Sequence, residues 1–320
     1  MKVRWGILGT GRIAGVFCDT LAQMTDAQIY AIGSRTEEKA KAFAQTYQAP
    51  VSYGSYEALV ADENIDIVYV ASPINCHYEH VKLCLLAGKG VLCEKAFTQT
   101  AEQAEELYAL AKEKNLLLME ALWTRYQPVY RKILEWKEAG LFGEIRHVDA
   151  SFYTGGTKSH RLYKDPSQGG CLPDLTIYPL LYACSMLGFE PKQIDALAMK
   201  NEWGMDVTES IRLLYDNGSF ASLTGGLDKE RRVHLCIYGT KGRLCMNKEN
   251  FFKATEAELL DWDNNPIAYY KEPFGISGYT YEAQEAMECY KNGQVISSMH
   301  PMEDTIAILK ILEECHRQWS

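Results

Sequence analysis

The sequence has no apolar run near the roughly 20 residues that a membrane-spanning helix needs. Its first residues carry charge but no apolar stretch of signal-peptide length, so we expect a cytoplasmic protein with no membrane partner. Positive charge is also scarce, because 33 lysines and arginines face 42 acidic residues and leave a formal net charge of −9. That charge repels nucleic acid, so we expect no nucleic-acid partner.

Paired cysteine motifs are missing as well. None of the ten cysteines forms a Cys-x-x-Cys pair, and no grouping of histidine, cysteine and carboxylate has the spacing of metal ligands. We therefore expect no metal site. Most cysteines lie in apolar stretches, such as Cys184, which predicts buried reduced thiols and again a cytosolic compartment.

The first third of the chain alternates short apolar strands with helices. Strands are predicted at 3–8, 28–34, 65–71, 90–93 and 116–122, with helices between them at 12–24, 37–46, 77–87 and 100–114. Such alternation is typical of an α/β domain with a doubly wound parallel sheet. The N-terminal domain is therefore predicted to have a Rossmann fold.

The pattern changes after about Ala121. A helix is predicted from Pro128 to Gly140, and long strands then flank turn sequences at 216–219 and 239–242. These features predict an α+β domain with an open, mostly antiparallel sheet. We expect a dinucleotide-binding domain at 1–121 and a substrate and dimerisation domain at 122–320, with the last helix, 303–316, as a candidate to pack back on the first domain.

A glycine-rich turn follows the first strand and opens the first helix. Gly9 permits a tight turn, Gly11 leaves room for a pyrophosphate against the backbone, and Ala14 allows close packing of helix and strand. The helix N-terminus offers free N–H groups to phosphates. A plain tight turn is the alternative. The candidate cofactor residues here are Gly9, Thr10, Gly11, Arg12 and Ile13.

The end of the second strand favours NADP over NAD. An acid that would hold the ribose hydroxyls is absent there, whereas Ser34, Arg35 and Lys39 can bind a 2′-phosphate. A solvated arginine that happens to follow a strand is the alternative interpretation.

Two further clusters are candidates for catalysis. Glu94 and Lys95 end a strand at the sheet edge where ligands of α/β folds bind, although a surface ion pair is an equal alternative. Asp174 can cap a helix that runs to about Leu187, and Tyr178 lies one turn further on the same face. Spacing alone would favour an ordinary N-cap and a half-buried tyrosine.

Taken together, these motifs resemble the glucose–fructose oxidoreductase and inositol dehydrogenase (Gfo/Idh/MocA) family. The resemblance rests on the glycine-rich turn, Ser34-Arg35, Ala71-Ser72-Pro73 with His77, Glu94-Lys95, and Gly169-Gly170 with Asp174 and Tyr178. The stretches 118–125, 239–242 and 281–283 resemble the branch that holds dimeric dihydrodiol dehydrogenases and NADP-dependent pentose dehydrogenases.

The resemblance implies roles for individual residues. Lys95 corresponds to the catalytic lysine of a Glu-Lys-Pro motif, and Asp174 and Tyr178 to the pair of the second motif. Tyr178 would take the proton of a substrate hydroxyl, with Lys95 stabilising the phenolate and Asp174 orienting the substrate or the lysine. The chain departs from the family at Ala96, where proline is usual, and this change could loosen the turn that aims Lys95.

The family also implies a small-molecule substrate, namely a sugar, a polyol or a cyclic trans-dihydrodiol, and a homodimer formed through the C-terminal sheet. A catalytically silent, redox-sensing dinucleotide-binding regulator is the alternative function. Further cofactor candidates are Ala71, Ser72, Pro73, His77, Glu94, Trp123 and Arg125. For Trp123 and Arg125, interface packing and an ion pair are the alternatives. Tyr153, His160, Arg161 and Tyr163 form a candidate substrate loop, with a solvated loop as its alternative.

Overall fold

A computed structural model describes residues 2–154, 170–227, 231–246 and 250–319. The chain divides into two compact units. Unit 1 consists of Met1–Tyr126 and Gly275–Ile306, and unit 2 consists of Gln127–Phe274 and Ala307–Ser320. Each unit is therefore assembled from two separate stretches of the chain.

The N-terminal stretch of unit 1 forms a six-stranded parallel sheet in the order β3-β2-β1-β4-β5-β6. This is the strand order of dinucleotide-binding sheets, and it confirms the predicted doubly wound fold. The strands are β1 (Val3–Leu8), β2 (Ala27–Gly33), β3 (Val51–Tyr53), β4 (Ile67–Val70), β5 (Gly90–Glu94) and β6 (Leu118–Ala121). The helices are α1 (Arg12–Leu21), α2 (Glu37–Tyr47), α3 (Tyr56–Val60), α4 (His77–Leu86) and α5 (Ala101–Lys114).

Local chemistry explains where several of these helices begin. The Thr100 hydroxyl accepts the backbone N–H of Gln103 at 3.2 Å, which confirms the helix start predicted from this sequence. Thr36 and Ser55 cap α2 and α3 in the same manner. The short elements β3 and α3 were not predicted, because three to five residues carry too little periodicity to be recognised.

Unit 2 contains an eight-stranded sheet in the order β14-β13-β12-β11-β7-β10-β9-β8. Its neighbouring strands are antiparallel except for the parallel pair β7 and β10, which confirms the expected mostly antiparallel sheet. The strands are β7 (Ile145–Tyr153), β8 (Gln193–Lys200), β9 (Asp206–Leu214), β10 (Phe220–Gly226), β11 (Arg232–Gly239), β12 (Gly242–Met246), β13 (Glu256–Asp261) and β14 (Pro266–Lys271). The helices are α6 (Pro128–Glu138) and α7 (Ile177–Leu187), which a π-helical turn, Leu172–Thr176, precedes.

One face of this sheet is covered and the other is open. Along β9, buried residues such as Ile211 and Leu213 alternate with less buried neighbours, as expected when only one face packs on a core. Helix α7 is buried from Ile177 to Met186. The opposite face of the sheet, called the open face below, carries Leu197, Met199, Leu214 and Phe220 as exposed apolar side chains.

Two helices end the chain. Helix α8 (Thr280–Lys291) belongs to unit 1. Helix α9 (Met302–Trp319) begins in unit 1 and continues from Ala307 in unit 2. Across the described residues, no helix combines the length and the apolarity that crossing a membrane requires.

The prediction of reduced cysteines is wrong for two of the ten. Cys236 on β11 and Cys245 on β12 are direct cross-strand partners and form a disulfide on the open face. The remaining eight cysteines are free, and seven of those are buried. The sequence test looked for cysteines close together in the chain, whereas this pair is brought together by the register of a hairpin.

Candidate active site

The carboxyl ends of the parallel strands in unit 1 gather most of the predicted cofactor residues. The strands end within one residue of register, at Leu8, Gly33, Val70, Glu94 and Ala121. The residues that follow four of these ends belong to the predicted site: Gly9, Ser34, Ala71 and Lys95. Ligands of open α/β sheets bind at this edge. The structure thus brings together motifs that lie up to 86 positions apart in the sequence.

The glycine-rich turn has the geometry that a dinucleotide requires. Gly9 has a φ of +109°, and a Cβ there would lie 2.9 Å from the carbonyl oxygen of Ala71. Gly11 precedes α1 and faces open space, since a Cβ there would meet no atom of the protein within 4 Å. Ala14 is fully buried where helix and strand pack. The open space beside the first N–H groups of α1 fits a pyrophosphate. Thr10, Arg12 and Ile13 lie in the same turn.

The three residues predicted to select the cofactor lie beside this turn. Ser34 is buried, and its hydroxyl is 3.4 Å from that of Thr10. Arg35 and Lys39 are exposed at the start of α2. Within the part of the chain that the structure describes, neither cation forms an ion pair with a carboxylate. Both charges are therefore available to an anionic ligand.

A buried histidine links two segments of this edge. His77 Nε2 lies 2.8 Å from the carbonyl oxygen of Ser72, and Nδ1 lies 3.0 Å from the carbonyl oxygen of Ala96. Burial lowers the pKa of His77, against the opposing effect of these carbonyls, and the neutral ring can donate to only one side. Ser72 also contacts His80, whose Nδ1 lies 2.8 Å from the serine hydroxyl. Pro73 is exposed beside them.

Lys95 is half-buried on a turn that the protein fixes from both sides. The peptide bond between Lys95 and Ala96 is cis, and the carbonyls of Ala96 and Phe97 both face His77. The backbone N–H of Phe97 donates to Glu120 Oε1 at 3.1 Å. Contacts from two other segments therefore hold the turn, although Ala96 lacks the ring that a proline would have there.

Glu120 connects the Lys95 turn to the second stretch of unit 1. Its side chain is buried, and its second oxygen, Oε2, lies 2.9 Å from His300 Nε2 and accepts the Thr305 hydroxyl at 2.8 Å. The Glu120 carboxylate therefore has partners at both oxygens. Sequence reasoning missed this residue, although it lies within the stretch 118–125 that narrowed the family resemblance.

Glu94, next to Lys95, lies in an acidic interior. The hydroxyl of Tyr69 donates to Glu94 Oε1 in a short hydrogen bond. Glu282 on α8 is fully buried, and among the described residues no donor meets either of its carboxyl oxygens. Burial, followed by the charge of Glu94, raises the pKa of Glu282 well above its ordinary value. Both effects favour the neutral acid form of Glu282.

Trp123 and Arg125 are both buried in unit 1. Trp123 stacks on Tyr279 with ring centroids 4.4 Å apart. Arg125 forms an ion pair with Asp304, and its Nε donates to the carbonyl of Met299 at 2.7 Å. Arg125 therefore forms an ion pair, which the sequence analysis gave as the alternative to a role at the cofactor. A role of either residue at the cofactor stays a prediction.

Asp174 and Tyr178 lie in unit 2, on consecutive turns of one helical segment. The expectation that Asp174 is an N-cap is wrong, because Asp174 lies inside the π-helical turn Leu172–Thr176, and no side chain caps that turn. The extra residue of a π-turn widens the helix locally, and such turns are frequent at functional sites. Tyr178 is 6% exposed, and its ring packs against the stacked rings of Phe152 and Phe252, with centroids 5.9 and 5.2 Å away.

The π-helical turn rests on a carboxylate that sequence reasoning also missed. Asp206 Oδ2 accepts the backbone N–H of Leu172 at 2.8 Å, and its carbonyl accepts that of Cys171 at 3.3 Å. Gly170 has a φ of +78°, and a Cβ there would overlap the Asp206 carboxyl group. The second glycine of the predicted motif thus makes room for Asp206. Of the candidate substrate loop, Tyr153 ends β7, whereas His160, Arg161, Tyr163 and also Gly169 lie outside the described residues.

Comparison with known families matches both parts of the chain. Residues 3–122 match the model of the GFO/IDH/MocA oxidoreductase family with an NAD-binding Rossmann fold, and residues 130–245 match the GFO/IDH/MocA C-terminal domain. A trans-1,2-dihydrobenzene-1,2-diol dehydrogenase from Bos taurus is 31% identical over 99% of this chain and 97% of its own length. A similar enzyme from Xenopus laevis is 32% identical over 99% of this chain and 98% of its own length.

Solved structures show similar folds over the full length. The 3-ketoreductase KijD10 from Actinomadura kijaniata, in complex with NADP and TDP-benzene, has a TM-score of 0.86 and 26% identity. That match covers 100% of this chain and 98% of the ketoreductase. Solved structures of KijD10 include variants in which one lysine or one tyrosine is replaced.

Proposed function

The chain belongs to the GFO/IDH/MocA oxidoreductase family and is an NAD(P)-dependent oxidoreductase, and from this premise we propose that it transfers a hydride between NADP(H) and a secondary alcohol or its ketone. The substrate class in this proposal is a sugar, a polyol or a cyclic trans-dihydrodiol. The observation that carries it is the place of Lys95, directly after β5 at the sheet edge that also holds the glycine-rich turn. The names of the dihydrodiol dehydrogenases and of the ketoreductase support a cyclic substrate that bears hydroxyl groups.

NADP fits the residues at this edge better than NAD does. The free space at Gly11 and the N-terminus of α1 would hold the pyrophosphate. Ser34, Arg35 and Lys39 would hold a 2′-phosphate, since a buried hydroxyl and two cations outside ion pairs suit a dianion. When bound, the cofactor supplies the acceptor or donor of the hydride at its nicotinamide ring.

The residues of the chain would handle the proton and the substrate oxygen. Tyr178 would accept the hydroxyl proton during oxidation and return it during reduction. The ammonium group of Lys95 would stabilise the phenolate and the developing alkoxide, because a positive charge favours both anions. Asp174 would orient the substrate or the lysine. We propose these roles for Lys95 in unit 1 and for Asp174 and Tyr178 in unit 2.

Two substitutions test these roles. We expect Tyr178→Phe to lower kcat by about two to four orders of magnitude, the usual contribution of a general acid or base, while NADPH binding stays unchanged. Lys95→Met should lower kcat in the same way. The measurement is the absorbance of reduced nicotinamide over a panel of pentoses, hexoses, inositols and cyclic diols, with NADP⁺ and NAD⁺. Wild-type turnover in Tyr178→Phe would remove the tyrosine from the mechanism.

A catalytically silent regulator is the second candidate function, because folds of this kind can be reused without their chemistry. The presence of Lys95, Asp174 and Tyr178 together favours the enzyme, since a protein that only binds a dinucleotide needs none of them. A regulator would bind NADPH in fluorescence titrations yet oxidise no alcohol in the substrate panel. This outcome would reject the dehydrogenase.

We also propose that the protein is a homodimer that buries the open face. A row of stacked rings runs over β10, β7 and β11 to the residue that follows β13: Phe220, His147, Tyr238 and Trp262. Phe220 and Trp262 are partly exposed, and exposed apolar patches of this kind mark protein interfaces. For the compartment we propose the cytoplasm, because eight cysteines are free thiols. The disulfide between Cys236 and Cys245 argues against it, so thiol labelling in freshly lysed cells is the test.

A further inference from the structure

We propose that Asp206 and Glu209 share one proton and that this singly charged pair positions the π-helical turn that carries Asp174. The two residues lie on β9, directly behind the turn. The positioning role rests on the proposed function, whereas the shared proton does not. Neither residue belongs to the motifs that the sequence singled out.

The two carboxyl groups are close together and removed from solvent. Asp206 is 5% exposed and Glu209 is 2% exposed. One carboxyl oxygen of each residue and the Sγ atom of Cys171 all lie within 4.8 Å of one another. Among the described residues, no lysine or arginine forms an ion pair with either carboxylate. Double ionisation of two adjacent buried carboxylates is strongly unfavourable when no lysine or arginine pairs with them, so the pair retains a proton.

The hydrogen bonds indicate which carboxyl group holds the proton. Asp206 accepts the Leu172 N–H at 2.8 Å, and that bond favours its charged form. No donor among the described residues meets either carboxyl oxygen of Glu209. A protonated Glu209 becomes a donor, and its carboxyl group then has Asp206 as a partner. The proton on Glu209 therefore satisfies both residues.

His316 is the titratable base that faces the pair, and its effect on Asp206 is smaller than that of burial. Burial, followed by the charge of Asp206, raises the pKa of Glu209 well above its ordinary value, and burial also raises the pKa of Asp206. From α9, His316 faces Asp206 with a pKa that burial lowers, and Cys315 faces Glu209. From the π-helical turn, Cys171 and Thr176 face Glu209, and Asp174 adds negative charge near Cys171. Burial of both carboxyl groups and the charge of Asp206 on Glu209 outweigh the hydrogen bonds from Thr176 and Cys171 and the charge of His316, so one proton is retained.

Two glycines show that the cluster and the turn are built to fit each other. A Cβ at Gly170 would overlap the Asp206 carboxyl group, and a Cβ at Gly225 would overlap the Thr176 hydroxyl and reach within 2.8 Å of Glu209 Oε1. Thr176 and Asp174 belong to the same π-helical turn. A second negative charge on the pair would repel within this tight packing and would displace the turn that carries Asp174.

Infrared spectroscopy of the full-length protein tests the proton directly. The difference spectrum between wild type and Glu209→Gln at neutral pH should contain the carbonyl band of a protonated carboxylic acid. The matched control is Glu258→Gln, an exposed glutamate of β13, which should give no such band. If the band is absent from the Glu209→Gln difference spectrum, Glu209 is ionised and the proposal is wrong. A bound metal ion could instead neutralise Cys171, Asp206 and Glu209. Metal analysis tests for it, and a stoichiometric ion that a chelator removes would also overturn the proposal.

Positioning is tested by comparing two variants. Glu209→Gln should keep kcat within about twofold, because the amide N–H donates to Asp206 as the protonated acid does. Asp206→Asn should lower kcat about tenfold, equivalent to about 1.4 kcal/mol, and leave the KM for NADP⁺ unchanged. Hydrogen exchange of the peptide that contains Leu172 should become faster in Asp206→Asn alone. Equal losses in both variants would overturn the proposal.

These readouts separate the inference from the proposed function. If Tyr178→Phe retains full turnover, the catalytic roles fail, yet the infrared band and the exchange at Leu172 still test the proton and the turn. If Tyr178→Phe is inactive and Asp206→Asn retains wild-type kcat, the positioning role alone is wrong.

Discussion

The backbone N–H of Phe97 donates to Glu120 Oε1 at 3.1 Å, two residues after Lys95. Glu120 also contacts His300 and Thr305 through Oε2. The buried carboxylate of Glu120 thus connects the turn of the candidate catalytic lysine to the segment around His300, which lies 180 residues after Glu120. Asp206 has the same relation to the turn that carries Asp174, so in each unit a buried acid holds the turn of a candidate residue.

Removing the Glu120 carboxylate should damage both stability and turnover. Glu120→Ala leaves three buried hydrogen-bonding groups without their partner, and we expect a loss of roughly 3 kcal/mol in the free energy of unfolding. We also expect kcat to fall more than the KM for NADP⁺ rises, because the turn carries Lys95. Urea unfolding and steady-state kinetics measure the two effects. Glu120→Gln keeps an acceptor for Phe97 and should lose less; identical behaviour of both variants would contradict the anchoring role.

Arg35 should determine the preference for NADP⁺. Arg35→Ala removes a charge-assisted contact to the 2′-phosphate, worth about 1.5 to 3 kcal/mol, or roughly a 10- to 150-fold loss in kcat/KM. The kcat/KM for NAD⁺ should stay within about twofold, since NAD⁺ lacks that phosphate. Lys41→Ala, on helix α2 just after Arg35 and paired with Glu37, is the matched control. Equal losses with both cofactors would show that Arg35 does not recognise the phosphate.

Glu282 should make stability depend on pH. Burial raises the pKa of Glu282 well above its ordinary value of 4.5. A raised pKa in the folded state means that the folded protein keeps a proton which the unfolded chain releases. The protein is therefore most stable below the pKa that Glu282 has in the unfolded chain. It loses stability as the pH rises from there towards the pKa of Glu282 in the folded state.

The matched variant is Glu282→Gln, which carries no ionisable group at this position. The free energy of unfolding of this variant should exceed that of wild type by an amount that grows with pH. The growth should be about 1.4 kcal/mol per pH unit above the pKa of Glu282 in the unfolded chain. Urea unfolding of both proteins between about pH 5 and pH 7 measures this slope. A constant difference across that range would mean that Glu282 is ionised in the fold.

A charge on the open face should separate the proposed dimer. Leu197 is 76% exposed on β8, and Leu197→Asp would place a carboxylate in the interface without a partner. We expect light scattering after size exclusion to report the monomer mass for this variant and twice that mass for wild type. Leu86→Asp, at an exposed leucine of α4, should remain dimeric. A monomeric wild-type protein would reject the proposal outright.

The candidate catalytic residues came from the family resemblance, whereas the sequence by itself determined the doubly wound sheet and the glycine-rich turn. These features follow from short-range rules, namely the period of apolar residues, the capping of Thr100 and the conformational freedom of Gly9. Local spacing also suggested an N-cap at Asp174, which is wrong, because a π-helical turn cannot be read from side-chain order alone. The disulfide between Cys236 and Cys245 was missed for a related reason, since strand register decides which cysteines meet.

Only the tertiary structure decided which buried acids support the site. Glu120, Glu282, Asp206 and Glu209 look like ordinary surface residues in the sequence, since acids are seldom buried. Glu120 meets His300, 180 residues further along the chain, and Asp206 meets Leu172, 34 residues before it. It also decided that Gly275–Ile306 joins unit 1. Burial and long-range contact depend on how the elements pack, and that packing is a property of the whole fold.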